Sequence, residues 1–252
     1  MGWSGQFKDK ETGEEILLPF STLQELIDAK IADICEQSGA DEPPIIFLTE
    51  SEDIVRMANQ WPENNYTYTH GFRYDVAKAK PYKGNRSSPK PFHFYNIVAY
   101  LLAEYDTRIS QRGLEADDML SIEQCKPGSD TIICSRDKDL RQVPGWHYSW
   151  ECGLQREVGP TFTDPIGWLE KSEKGKVIGY GLKFFYYQML TGDQVDNIPG
   201  CPGVGAVKAF KLLDPLKCET AMKLVCIDEY KNAGKDKAYW DEQWNLLWMV
   251  RK

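Results

Sequence analysis

The chain has 252 residues, 42% of them hydrophobic and 27% charged, with a formal net charge of −8. That is the balance of an ordinary globular protein of one large domain or two small ones. No apolar run approaches the ~20 residues of a membrane span and the N-terminus lacks a signal-peptide pattern, so the expected setting is cytoplasmic. The negative balance argues against a nonspecific coat for nucleic acid and leaves any phosphate contact to a local basic patch. Seven cysteines, scattered, odd in number and without a Cys-x-x-Cys, suggest neither a disulfide framework nor a zinc site.

Residues 1–16 are polar and glycine-containing and read as a loop or frayed arm. A helix is expected over Phe20–Cys35, where apolar residues recur at 23, 26, 27, 31 and 34 and Ser21 or Thr22 stands ready to cap it. The apolar run Pro43–Thr49 is typical of a buried parallel strand, and a short helix follows over Ile54–Asn59. From residue 77 the composition turns basic, with Lys78, Lys80, Lys83, Arg86 and Lys90 in a stretch without an acid. Such a run is most often a solvated loop. Here Tyr82 and Phe92 interleave it, as expected where single-stranded nucleic acid is held by charge and stacking.

Phe92–Tyr105 has a helical period, Thr107–Ser110 reads as a short strand, and Gly113–Leu120 opens another helix. Glu115, Asp117 and Asp118 lie at its start, where acids ordinarily offset the macrodipole. A second apolar run, Thr131–Cys134, leads into Asp137 and Asp139, at the carboxyl end of a buried strand where open α/β sheets place their ligands. Trp146–Trp150 reads as a strand, Thr161–Leu169 as partly irregular, and Phe184–Leu190, 204–213, 219–226 and 238–250 as helices. In the stretch 192–208, Asp193 and Asp196 are spaced i, i+3, so a helical turn would face both carboxylates one way. Gly203 and Gly205 let backbone approach a phosphate, the next helix offers its N–H groups, and Lys208 adds charge.

Glu115, Asp117, Asp118, Asp137, Asp139, Asp193 and Asp196 would repel one another strongly if brought together without cations. Oxygen-only ligands favour Mg²⁺, or Mn²⁺ in its place, over zinc. Two such ions ~4 Å apart would activate water, position a phosphate and stabilise the leaving oxygen.

Taken in order, Tyr82-Lys-Gly-Asn-Arg86, Glu115-Ala-Asp-Asp118, Ser135-Arg-Asp-Lys-Asp139, Gly192-Asp-Gln-Val-Asp-Asn197 and Gly203-Val-Gly205 resemble the 5′→3′ exonuclease and flap endonuclease family, especially its phage members, over about residues 43–213. The resemblance implies an α/β fold, with a PIN-like parallel sheet flanked by helices over residues 1–180 and a helix–three-turn–helix DNA-binding module over 181–252. It implies that Glu115, Asp117, Asp118 and Asp137 form the inner metal shell, and that Asp139, Asp193 and Asp196 serve a second ion or its waters. Lys83 and Arg86 would act on the phosphates of the 5′ strand, and the turn at 200–205 would hold duplex phosphates, often with K⁺.

The activity so implied is Mg²⁺-dependent 5′→3′ DNA exonuclease or flap endonuclease cleavage in DNA replication or degradation, in a bacterial or phage-infected cell, with a DNA polymerase as a candidate partner. The alternative is a structure-specific DNA-binding protein of the same fold with impaired catalysis. A PIN-type ribonuclease fits less well, because such domains are generally shorter and lack the glycine hairpin. Two departures from the family stand out. Some relatives carry an Asp ligand just after the Arg of the Tyr-Lys-x-x-Arg segment, where this chain has Ser87. The family also opens with a central strand ending in Asp, and residues 1–42 contain no apolar strand of that kind, Asp28 lying inside the first expected helix. The corresponding expectation is a marginally stable chain with a weakened inner metal, its first strand lost, misassigned or absent.

Overall fold

The computed structural model describes residues 5–9, 11–86, 88–153, 155–172 and 176–252, so Ser87 lies outside the described residues. Where a frayed arm is expected, β1 (Gln6–Lys8) and β2 (Glu15–Leu17) pair antiparallel. The Asp9 carboxylate closes their turn by accepting the N–H groups of Glu11 and Thr12, both at 2.8 Å. Helix α1 (Phe20–Ser38) starts at Pro19 with no side-chain cap, so neither Ser21 nor Thr22 serves. Pro needs no N–H partner at that end, which removes one demand for a cap.

The chain then forms β3 (Ile45–Leu48), α2 (Glu52–Ala58), the short α3 (Phe72–Val76), α4 (Phe94–Glu104), β4 (Asp106–Ile109), α5 (Ala116–Gln124) and β5 (Ile132–Cys134). A 3₁₀ turn over Lys138–Gln142 leads to β6 (Gly145–Ser149), β7 (Val158–Thr163), β8 (Trp168–Lys171) and β9 (Val177–Tyr180). Four helices finish the chain: α6 (Gly181–Thr191), α7 (Ala206–Leu213), α8 (Glu219–Asn232) and α9 (Lys237–Leu247).

The architecture is mixed α/β rather than one parallel sheet. β3 pairs with β4 and β5 with β6, both parallel, but the described strands do not join these pairs to each other. Strand β7 returns antiparallel along β6, and β8 and β9 form a separate antiparallel hairpin. Strands of three to six residues expose little edge for further pairing. The helices between them, not a wide sheet, carry the packing.

The largest apolar core belongs to the C-terminal helices. Phe185, Tyr186, Met189 and Leu190 on α6 pack with Leu213, Met222, Cys226 and Leu247 from α7 to α9, all nearly or fully inaccessible. Tyr82 is drawn into the same core from the basic segment. Smaller clusters lie between α2, α4 and β4, around Ile54, Val98 and Ile109, and beside β5, where Met249 joins Ile133 and Leu140.

Between α6 and α7 the chain closes on itself. Asp193 and Ile198 exchange N–H to carbonyl bonds at 2.8 and 2.7 Å. Gly192 and Gly200 have φ of 71° and 67°, and a Cβ on either would stand 2.2 Å from backbone atoms of the opposing strand of the loop. Glycine is required there by both conformation and space. Asp193 and Asp196 therefore sit on a tight turn and not on the helical turn their spacing suggests.

Candidate active site

The three acidic groups come together around a few shared side chains. The Tyr82 hydroxyl donates to Glu115 Oε2 at 2.8 Å and to Asp196 Oδ2 at 3.2 Å. Lys138 Nζ bridges Asp139 Oδ1 at 2.8 Å and Asp193 Oδ2 at 2.5 Å. Lys83 Nζ donates to Glu115 Oε1, and Arg86 to Asp196 Oδ1 at 2.5 Å. Asp137 caps the 3₁₀ turn, its carboxylate accepting the Asp139 N–H at 2.8 Å. Segments far apart in the chain are thus tied into one acidic cleft.

Asp117 lies within that cleft and, among the described residues, has no hydrogen bond or ion pair of its own. Burial, reinforced by the nearby charges of Asp137, Glu115 and Asp139 and opposed by Lys83, pushes its carboxyl up to about 7. Asp139 is also pushed up, by burial first, although Lys138 opposes the shift. Among the described residues no three His, Cys, Asp or Glu side chains are placed to hold a metal ion together, and Lys83 and Lys138 pair with Glu115, Asp139 and Asp193. The donor set still suits a hard divalent cation: all oxygen, with one half-buried carboxylate, that of Asp117, accepting no hydrogen bond among the described residues.

Asp118 requires a correction. Expected in the inner shell, it is fully buried and consumed elsewhere. Arg73, itself 2% exposed, clasps it through Nη1–Oδ2 at 2.6 Å and Nη2–Oδ1 at 2.8 Å. The N–H groups of Glu115 and Val250 fill the remaining acceptor positions, each at 3.0 Å. Burial works against the charge of Arg73, but its bonding to Asp118 more than offsets this and raises its pKa. Arg73 also donates to the carbonyls of Leu246 at 3.2 Å and Trp248 at 2.8 Å. Asp118 is thus an anchor for α5.

Tyr82 needs correcting too, because at 5% exposure its ring is core and cannot serve as a stacking platform for bases. Phe92, 65% exposed, is free to do so. The basic segment otherwise divides. Lys78, Lys80, Arg86 and Lys90 are exposed, with Lys90 lying 4.3 Å from the Phe94 ring centroid, whereas Lys83 turns inward. Lys83 has φ 52°, an uncommon left-handed backbone for a non-glycine residue, fixed by its N–H bond to the Asp196 carbonyl at 3.0 Å. On the far side of the glycine loop, Gly203 has φ 78° and Gly205 is the N-cap of α7. A Cβ on either would meet nothing within 4 Å. Lys208 pairs with Glu229 at 2.5 Å and is half exposed.

Sequence reasoning missed Glu50. It stands two residues beyond β3, is 8% exposed, and accepts the N–H groups of Thr69 at 2.9 Å and Gly113 at 2.8 Å. An acid just past a buried strand is the signal applied to Asp137, and it was equally present here. Arg73 gave no such signal, because nothing local marks an arginine that will be buried.

No family model matches the chain. It is 34% identical over 155 residues to DNA polymerase I of Rhizobium leguminosarum, a match covering 57% of this chain and 14% of that protein. With the thermostable DNA polymerase I of Thermus aquaticus the identity is 32% over 183 residues, covering 68% of this chain and 20% of the relative. A 5′-3′ exonuclease of Buchnera aphidicola is 30% identical over 149 residues, covering 54% of this chain and 46% of its own length. The matches thus span less than half of each of these relatives. A solved structure of the T5 D15 protein with metal ions covers 90% of this chain and 81% of its own at 15% identity, with a TM-score of 0.49, too low to carry a point about the site. On these sequence similarities the chain resembles the 5′-3′ exonuclease of Buchnera aphidicola and part of the DNA polymerase I of several bacteria.

Proposed function

We propose that the chain is a divalent-cation-dependent 5′→3′ nuclease that hydrolyses DNA phosphodiesters at or near a 5′ end, as an exonuclease or on a flap. The observation that carries this reading is Asp117, a half-buried carboxylate that accepts no hydrogen bond among the described residues, raised by desolvation first and then by the acids around it. A cation is the simplest relief for that charge. Mg²⁺ fits the oxygen ligands, Mn²⁺ can replace it, and two ions bound there would supply a nucleophilic hydroxide and neutralise the scissile phosphate. Asp117, Asp137 and Glu115 would hold one ion; Asp139, Asp193 and Asp196 would hold the other or its waters.

The remaining groups would handle the strand. Exposed Lys78, Lys80, Arg86 and Lys90 attract the backbone of the 5′ strand, and Phe92 offers a face to a base. Lys83, whose ammonium already reaches the cleft, would orient the scissile phosphate beside Glu115. The open backbone at Gly203 and Gly205, followed by the N-terminus of α7, suits duplex phosphates, with Lys208 adding charge and K⁺ a candidate bridging ion. In this reading α6, the closed loop and α7 serve as a helix–three-turn–helix module within a helical unit over 181–252, and a DNA polymerase is a candidate partner.

Lys83 and Lys138, standing among the carboxylates, favour a second reading: a DNA-binding protein of this family with impaired cleavage. A 5′-labelled flap or nicked duplex incubated with Mg²⁺ or with EDTA separates the two. Cleavage that EDTA abolishes supports the nuclease; binding without cleavage in Mg²⁺ or Mn²⁺ removes it.

A further inference from the structure

Helix α9 lies outside the acidic cleft, yet it bonds to several of the segments that build it. Gln243 accepts the Gly200 N–H at 3.0 Å, at the glycine loop. The Leu247 carbonyl accepts from Gln142 at 2.8 Å, at the end of the 3₁₀ turn that begins beside Asp137. The most telling contact is that of Glu242, 9% exposed, whose Oε1 accepts the N–H groups of both Lys78 and Ala79 at 2.7 Å. A buried carboxylate is costly unless it is well bonded, and two charge-assisted bonds to consecutive backbone N–H groups are strong ones. They fall where the chain leaves α3 and enters the basic segment.

We infer that Glu242 is a positioning residue that sets the register of the basic loop 78–86 and, through it, the placement of Lys83 and Arg86. The far end of that loop is already tied to the glycine loop: Asn197 donates to the Pro81 carbonyl at 2.9 Å, and Asn85 to the Gln194 carbonyl at 3.0 Å. Glu242 supplies the near end. With both ends held, Lys83 keeps its left-handed backbone and reaches Glu115; with the near end released, the loop pivots on its far anchor and its cations spread in solvent. This inference rests on the nuclease reading only for its effect on DNA. The bracing itself is a property of the protein alone.

The test joins amide hydrogen exchange of the free protein to DNA affinity measured in Ca²⁺ or EDTA. In Glu242→Ala, exchange at Lys78 and Ala79 should quicken about tenfold or more, as expected on losing hydrogen bonds to a charged acceptor. Affinity for a 5′-ended duplex should fall about tenfold. The Mg²⁺ concentration at the midpoint of thermal stabilisation should fall, because Lys83 no longer competes with a cation at Glu115, whereas general loosening of the fold would raise it. Glu242→Gln keeps an oxygen at the same place and should restore most of both losses. If Glu242→Ala does not fold, Glu242→Asp, which retracts the carboxylate by one methylene, is read at the same two amides. Unchanged exchange at Lys78 and Ala79 in a folded variant overturns the inference. A wild-type protein that neither binds nor cleaves DNA overturns the nuclease reading instead, and the exchange measurement still decides the role of Glu242.

Discussion

At the start of α5, Asp117 lies among the acids of the cleft, whereas Asp118, its neighbour, is closed into the core by Arg73 and the residues that follow α9. The two regions treat the same side chain in opposite ways. Behind the helix, the Arg73 guanidinium and two backbone N–H groups satisfy the carboxylate and lock the helix in place. In front of it, the charge meets other carboxylates and finds no bond. Rigidity on one side, and on the other repulsion that Lys83 only partly offsets, would suit a holder for a cation.

The contrast breaks most sharply at Asp118. Its replacement by Asn leaves a buried guanidinium short of its counter-charge and should cost about 3–5 kcal/mol, read in denaturant unfolding. Asp117→Asn should do the reverse to stability, removing repulsion and raising the melting temperature in EDTA, while cutting Mg²⁺-dependent cleavage by about a hundredfold or more. If both substitutions destabilise alike, the two faces of α5 are not different in kind.

pH sharpens the same comparison. With its carboxyl raised from an ordinary 3.8 to about 7, Asp117 keeps a proton in the folded chain that the unfolded chain has already lost. Stability in EDTA should therefore fall as pH rises from about 4 to about 7, and excess Mg²⁺ should flatten the decline by favouring the ionised form. A melting temperature that does not move with pH across that window, apart from what Asp117→Asn also shows, would count against the repulsion.

The sequence already marks the acids as three groups and the glycine stretch as a turn, and the helices expected over 20–35, 92–105 and 184–190 form over 20–38, 94–104 and 181–191. What it could not mark was the direction in which each acid points. Asp117 and Asp118 are equally acidic letters, and only the arrival of Arg73 and of Val250 from the far end of the chain separates them. Tyr82 was misjudged for the same reason, since an aromatic among lysines reads as exposed until the helical core that receives it is known. Two apolar runs imply parallel strands but say nothing about whether the pairs join, and the described strands do not form the single parallel sheet that the family resemblance implies.

Smaller effects test the outer contacts. Gly205→Val places its side chain in open space at a backbone φ of −89°, so folding should survive while duplex affinity falls about tenfold through exclusion of the backbone phosphates. Equal affinity would leave the turn a mere connection. Lys80→Ala should be milder still, lowering the slope of log affinity against log salt by about one unit if that ammonium meets a phosphate.

Gly192 and Gly200, which press backbone to backbone, and Gly203 and Gly205, which face open space, would part company under selection. Consider a library randomised at all of these positions and sorted first for soluble expression alone, then for retention of duplex. The first sort should return glycine at 192 and 200 and a mixture at 205, with Asn and Asp admitted at 203, where φ is positive. The second should narrow 203 and 205 to glycine as well. Positions whose tolerance changes between the sorts are the ones reserved for a ligand, and their identity would be known without a structure of any complex.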